Sequence, residues 1–163
     1  MKGIDKLKDI IKNSRSIVVF SGAGLSTNSG IPDFRSADGL YQQKLNYRVP
    51  PEEIISHSFF MAYPEDFYRF YFDKMIYPDA KPNSAHLYFA ELEKQGKSIT
   101  VITQNIDNLH QEAGSRHVIE LHGSVKRNYC MKCHRFYSLD EIYKAEVPVS
   151  YTHLRAHETS LHL

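Results

Sequence analysis

Apolar residues recur at Ile4, Leu7, Ile10 and Ile11, a spacing that predicts an amphipathic helix over residues 3–13. The pattern then changes. Ser16-Ile17-Val18-Val19-Phe20 is a short β-branched run ending in Ser21-Gly22-Ala23-Gly24, and it predicts a buried parallel strand entering a glycine turn. From Gly30 to about Pro64 no period holds; Pro, Gly, Asp and aromatics dominate where a compact strand–helix–strand unit has a short connection. Loops of that length inside a domain are functional or disordered. Residues 64–76 read as a helix with Phe67, Phe70 and Tyr71 on one side, and Pro82-Asn83-Ser84 opens another that runs through Glu93 and stops at Gly96. Residues 98–103 predict a second buried strand, 107–113 a short helix ended by Gly114, and 117–121 a third strand leading into His122-Gly123. Strands alternating with helices predict an α/β fold built on a parallel, Rossmann-like sheet. Residues 149–163 break the pattern, with three histidines in the last eleven residues and no hydrophobic face. They are read as a foreign or out-of-frame tail and set apart from fold reasoning; a genuine exposed terminal segment is the alternative.

Composition narrows the class. With 163 residues, 42% hydrophobic and 24% charged, the chain suits one ordinary globular domain. No apolar run approaches the ~20 residues that span a bilayer, and residues 1–12 lack the apolar centre of a secretory signal. A net charge of +1 gives no strong field toward nucleic acid or an anionic membrane. Neither partner is expected. Cys130 and Cys133 are the only cysteines, too close for a disulfide framework, and they point to metal or redox chemistry in a cytoplasmic chain.

Four motifs carry candidate chemistry. Gly22-Ala23-Gly24-Leu25-Ser26 follows a strand, where glycines let the backbone approach a pyrophosphate and a following helix N-terminus would add N–H donors. Thr27 stands where a dinucleotide fingerprint has Gly or Ala, and no acidic residue follows on a prompt second strand, which disfavours a standard dehydrogenase. Gly30-Ile31-Pro32-Asp33-Phe34-Arg35 combines a rigid step with an acid, a ring and a guanidinium, a set able to clamp a ligand that has both a ring and phosphates. A surface turn with a local Asp–Arg pair is the plainer alternative. Thr103-Gln104-Asn105-Ile106-Asp107-Asn108-Leu109-His110 lies at the carboxyl end of the second strand, where ligands bind in open α/β sheets; Asn105 or Asp107 would equally serve as a helix N-cap. His122, at the third strand's end, has the side-chain pKa of a general base. His86 and His110 are its rivals, and both sit where packing would explain them.

In this order and combination the motifs resemble the sirtuin family, over roughly Leu7 to Pro148. The resemblance implies an NAD-dependent protein-lysine deacetylase. Ala23, Gly24, Asp33, Phe34, Arg35 and Gln104 would contact NAD, with Gly22, Ser26 and Ile31 completing the cofactor-binding set. Asn105 and Asp107 would line the nicotinamide and ribose region, and His122 would be the catalytic base. The implied reaction turns acetyl-lysine and NAD into lysine, nicotinamide and O-acetyl-ADP-ribose, with acetylated protein lysines as partners. Relatives that favour acidic acyl groups carry a Tyr-x-x-Arg pair; residues 68–74 have none, which implies plain acetyl-lysine.

Cys130-Met131-Lys132-Cys133 resembles half of the family's structural zinc site, a small knuckle at about 128–136 that joins a helical insertion at about 36–80. Zinc takes four ligands, and the family's second cysteine pair is absent; His134, His153 or His157 are substitutes in principle. Cys130 to His134 also spells C-x-x-C-H, the haem-attachment pattern, without any export signal to support it. The chain is expected to be a truncated deacetylase domain over residues 1–148, with an incomplete sheet, poor NAD binding and impaired activity. Two other classes stay open: a non-catalytic NAD or ADP-ribose-binding module, and a zinc-binding interaction protein.

Overall fold

The computed structural model describes residues 2–37, 39–42, 47, 49–144 and 154–156. Helix α1 (Lys2–Asn13) leads into β1 (Ser16–Ser21), which pairs in parallel with β2 (Ser98–Thr103), and β2 pairs in parallel with β3 (Val118–Glu120). The β1–β2 connection carries α2 (Pro51–Ile54), α3 (His57–Ala62), α4 (Pro64–Lys74) and α5 (Ser84–Lys94). Helix α6 (Leu109–Ala113) links β2 to β3. This is the expected α/β parallel sheet, three strands in the order β1-β2-β3.

Helix α5 begins where its sequence says it should. The Asn83 side chain accepts a hydrogen bond from the Ala85 N–H at 3.0 Å, and Gly96, at φ 91°, turns the chain into β2. Leu92 then packs on Ile99 and Val101, with Ile11, Ile17, Val19 and Val118 around them. One face of the sheet is thereby covered.

The other face differs from expectation. Strand β1 was expected to be buried, yet Val18 and Phe20 are each 65% exposed. Phe20 pairs in register with Ile102, and Ile102 with Ile119, so an apolar row crosses all three strands on the open side. A β-branched run reports a strand but does not say whether a second layer covers it.

Residues 51–62, expected to be irregular, form α2 and α3. Together with α4 they build two aromatic clusters: Leu40, Ile54 and Phe70 in one, and Phe60, Tyr68, Tyr71, Ile76, Val125, Leu139 and Ile142 in the other. The residues expected on one side of α4 divide between these clusters, Phe70 in the first and Tyr71 in the second. A second small sheet, ordered β5-β4-β6, joins β4 (Asn128–Cys130), β5 (Phe136–Tyr137) and β6 (Leu154–Ala156), all antiparallel. Helix α7 (Leu139–Lys144) follows β5. The reading of 149–163 as a tail outside the fold lies beyond the described residues, except that residues 154–156 pair with β4.

Candidate active site

The carboxyl ends of β1, β2 and β3 meet at one edge. There Gln104 N–H donates to Ser21 O at 3.0 Å and Leu121 N–H donates to Thr103 O at 2.9 Å. Gly22 leaves β1 in extended conformation, and a Cβ on it would lie 3.3 Å from Gln104 Oε1, so the glycine lets the two loops approach. The expected helix does not follow. Two 3₁₀ turns, Ala23–Leu25 and Thr27–Ser29, take its place, and Gly30 at φ 85° ends them. Ser, Thr and Asn at positions 26–29 are weak helix formers, and so short a turn has no helix dipole to offer a phosphate. An open recess of about 380 Å³ lies beside this turn, lined by Ser21, Gly22, Ala23, Gly24, Leu25 and Phe89 among others.

The glycine loop is held by side chains instead. Ser26, 1% exposed, donates its hydroxyl to Asp107 Oδ2 at 2.6 Å and accepts from Asn105 Nδ2 at 3.0 Å. Asn105 N–H donates to Thr103 Oγ1 at 3.0 Å, and Leu109 N–H donates to Asp107 Oδ1 at 2.9 Å. The residue in the N-cap position of α6 is therefore Asn108, in the left-handed region at φ 67°, while Asp107 supplies the capping carboxylate. Of the two capping candidates, Asp107 alone does that work. From the other side Asn83 Nδ2 donates to Leu25 O at 2.7 Å and to Ser29 Oγ at 3.0 Å.

The chain after the glycine loop folds back on itself. Ile31 N–H returns to Ser26 O at 3.3 Å, and Leu40 and Tyr41 N–H groups close onto Asp33 and Phe34 carbonyls at 2.7 and 3.0 Å. Phe34 packs on Tyr41 with ring centroids 5.3 Å apart. The Ser36 hydroxyl and N–H hold the Asp33 carboxyl below its ordinary pKa, so it is an anion at neutral pH. The Arg35 N–H also faces that carboxylate, so Asp33 serves first to shape its own turn.

His122 is half-buried just after β3, and one ring nitrogen faces the Gln104 backbone. Burial lowers its pKa and the Gln104 carbonyl pulls the other way; the balance remains lowered, so the ring is neutral near pH 7 with one nitrogen free to accept a proton. Its two rivals are core residues. His86 is 0% and His110 1% exposed, with ring centroids 4.8 Å apart. The structure thus gathers Gly22, Ser26, Gln104, Asn105, Asp107 and His122 along one sheet edge. Asn83 and Ser21, which with Thr103 hold this edge together, carry no sign of that role in the sequence; Asn83 has a local signal only as a helix opener.

The Sir2 family model matches residues 22–159 of this arrangement. The chain belongs to the Sir2 family. The Sir2 chain is 63% identical over 134 residues to an NAD-dependent protein deacetylase of Clostridium perfringens, covering 82% of itself and 55% of that relative. It is 54% identical over 146 residues to a protein of the same description from Clostridium acetobutylicum, covering 90% and 60%. It therefore spans little more than half the length of the curated relatives it matches. Among solved structures, Sir2 bound to acetylated peptide superposes with a TM-score of 0.78 at 37% identity, over 98% of this chain and 65% of that one. A Sir2–p53 peptide–NAD+ complex gives 0.73 at 41%, over 94% and 62%.

Proposed function

We propose that this Sir2 chain is the front part of an NAD-dependent protein-lysine deacetylase that acts on acetylated lysines of other proteins. The observation that carries the reading is the Asn105–Ser26–Asp107 network at the strand edge, with a neutral His122 beside Gln104. The names of the relatives and the contents of the neighbouring structures support it.

NAD, when bound, supplies a ribose carbon whose bond to nicotinamide is the one that breaks. Gly22, Ala23 and Gly24 would bring backbone close to its phosphates, with Arg35 as their counter-charge and Ile31, Asp33, Phe34 and Gln104 around the rest. Asn105 is 8% exposed and fixed at its backbone by Thr103, so its amide would meet the nicotinamide side without rearranging. Asp107, ordered by Ser26 and Leu109, would face the ribose hydroxyls. The free nitrogen of His122 would take a proton from a ribose hydroxyl, making that oxygen the nucleophile of the later step. Phe34 would keep water from the reacting sugar.

Zinc is the second group the family implies. Cys130 ends β4, and the N–H groups of Cys133 and Lys132 face its sulfur and lower its thiol pKa, which favours a thiolate ligand. Cys133 is exposed on the same turn. Among the described residues no third His, Cys, Asp or Glu joins them, and His153 and His157 lie outside those residues. We propose that these two thiols form half of a structural zinc site. Two free thiols also fit a reducing compartment, the cytoplasm.

The row Phe20–Ile102–Ile119 stands open on one sheet face, an apolar surface of the kind that marks a contact site. The test is release of deacetylated peptide over many turnovers from NAD and an acetyl-lysine peptide, because the step given to His122 follows loss of nicotinamide. His122→Ala should lower it by about 10²–10⁴-fold while nucleotide binding persists. Equal release by His122→Ala overturns the base assignment, and nucleotide binding with no release of deacetylated peptide favours a non-catalytic binding module.

A further inference from the structure

We infer that His110 is a positioning residue for the dinucleotide site, acting through Ser21 to fix the start of the glycine turn. This rests on the proposed NAD-binding role of that turn. The two side chains are 89 positions apart in sequence, yet Ser21 Oγ lies 3.0 Å from His110 Nε2. Ser21 is the last residue of β1 and is 6% exposed, and His110 is 1% exposed. Ser21 is clamped twice, its carbonyl by the Gln104 N–H and its hydroxyl by His110. The next residue is Gly22.

The contact closes a ring of constraints. Ser21 and Ser26 flank the first turn of the glycine loop; His110 and Asp107 flank the start of α6. His110 holds Ser21 and Asp107 holds Ser26, so two loops are cross-linked at two points each. Asn83 holds Leu25 and Ser29 from the other side, and the His110 link adds the restraint at the loop's first residue. The imidazole is itself immobilised, with the His86 ring tilted 65° against it and Phe89 at 6.4 Å. His86 accepts the Asn83 N–H at Nδ1, and Asn83 grips Leu25 and Ser29. The imidazole pair therefore joins the grip of α5 to that of α6. An aliphatic side chain would fill the same space but would leave the Ser21 hydroxyl without this partner.

The test uses the chain itself, with two readouts. Amide hydrogen exchange in the free protein reports the loop, where Leu25 and Ser26 N–H groups are bonded to Gly22 and Ala23 carbonyls. His110→Ala should speed exchange at Leu25 and Ser26 by about tenfold, the loss of roughly one net hydrogen bond, with little change at Val101 in β2. Ser21→Ala removes the same contact with a smaller change of volume and should do likewise, so the idea survives if His110→Ala does not fold. Ser21→Thr keeps the hydroxyl and should restore wild-type exchange. The second readout is ADP-ribose titration followed at the Gly22–Arg35 amides, where both alanine variants should bind more weakly and Ser21→Thr should not. Unchanged loop exchange in Ser21→Ala overturns the positioning role. A wild-type loop that is protected but shows no response even to a large excess of ADP-ribose overturns instead the NAD-binding reading.

Discussion

Lowering the pH should destabilise this protein through one buried imidazole before its carboxylates matter. His110 is held neutral: burial, then the neighbouring His86, lower its pKa from 6.5 to about 4, and Asp107 offsets this only in part. Its folded pKa lies below its unfolded one, so its contribution is complete above about pH 6.5 and is lost as pH falls toward about 4. A gap of about 2.5 units corresponds to about 3 kcal/mol at the acid limit, of which about 2 kcal/mol is gone by about pH 5. For a urea slope near 2 kcal/mol/M, the unfolding midpoint should fall by about 1 M between about pH 7.5 and about pH 5. His86 shifts in the same direction by burial and adds to the loss. The control is His110→Gln, which keeps a polar group near Ser21 and cannot take up a proton in this range. Its midpoint should drop less over the same interval, the residue coming from His86 and His122. Parallel pH curves for the two proteins would refute the assignment to His110.

Two further perturbations act at named contacts. A Cβ at Gly39 would fall 2.7 Å from Asp33 Oδ1, 2.8 Å from the Phe34 carbonyl carbon and 2.9 Å from Arg35 N, two of the three being backbone. Gly39→Ala should therefore displace the Asp33–Arg35 turn and weaken nucleotide binding by calorimetry or amide titration, while the parallel sheet keeps its exchange protection. Glu93, 6% exposed, accepts the Arg116 N–H and Nε–H, each at 3.0 Å. The Arg116 side chain is 73% exposed, so solvent screens the ion pair, and the part-buried backbone contact carries most of the effect. Glu93→Ala should cost about 1–3 kcal/mol in chemical denaturation, little of it sensitive to salt; a strongly salt-dependent loss would show that the ion pair dominates.

Strands and helices were legible where local chemistry decided them. Ser98–Thr103 is a β-branched run after the stop at Gly96, and Asn83 and Gly96 mark the ends of α5. Ser16–Ser21 has nearly the same composition as β2, yet Val18 and Phe20 face outward; composition reads the pleat and not the second layer. Helices α2 and α3 have four and six residues, too short for a 3.6-residue period to register in a stretch full of Pro and aromatics. The candidate set Gly22, Ser26, Gln104, Asn105, Asp107 and His122 was legible because these residues lie in the segments that follow the three strands. How they are joined was not. Ser26 and Asp107 are 81 positions apart and Ser21 and His110 89, distances at which no periodicity speaks.

The same separation explains why the loop tolerates the absence of a helix. In a helix-supported dinucleotide site, backbone N–H groups and the helix dipole orient the phosphates. Here the backbone after Gly22 makes only two 3₁₀ turns, and its orientation comes from buried hydroxyl, amide and imidazole groups on β2, α5 and α6. Such groups are stable in the interior only when bonded to one another. Ser26 is useful because Asp107 and Asn105 both need it, and Asp107 because Ser26 and Leu109 fix both its oxygens. Orientation at the strand edge is therefore a collective property. Removing any one member should loosen its neighbours more than its own contacts would predict, so Ser21→Ala and Ser26→Ala combined should cost less than the sum of the two alone.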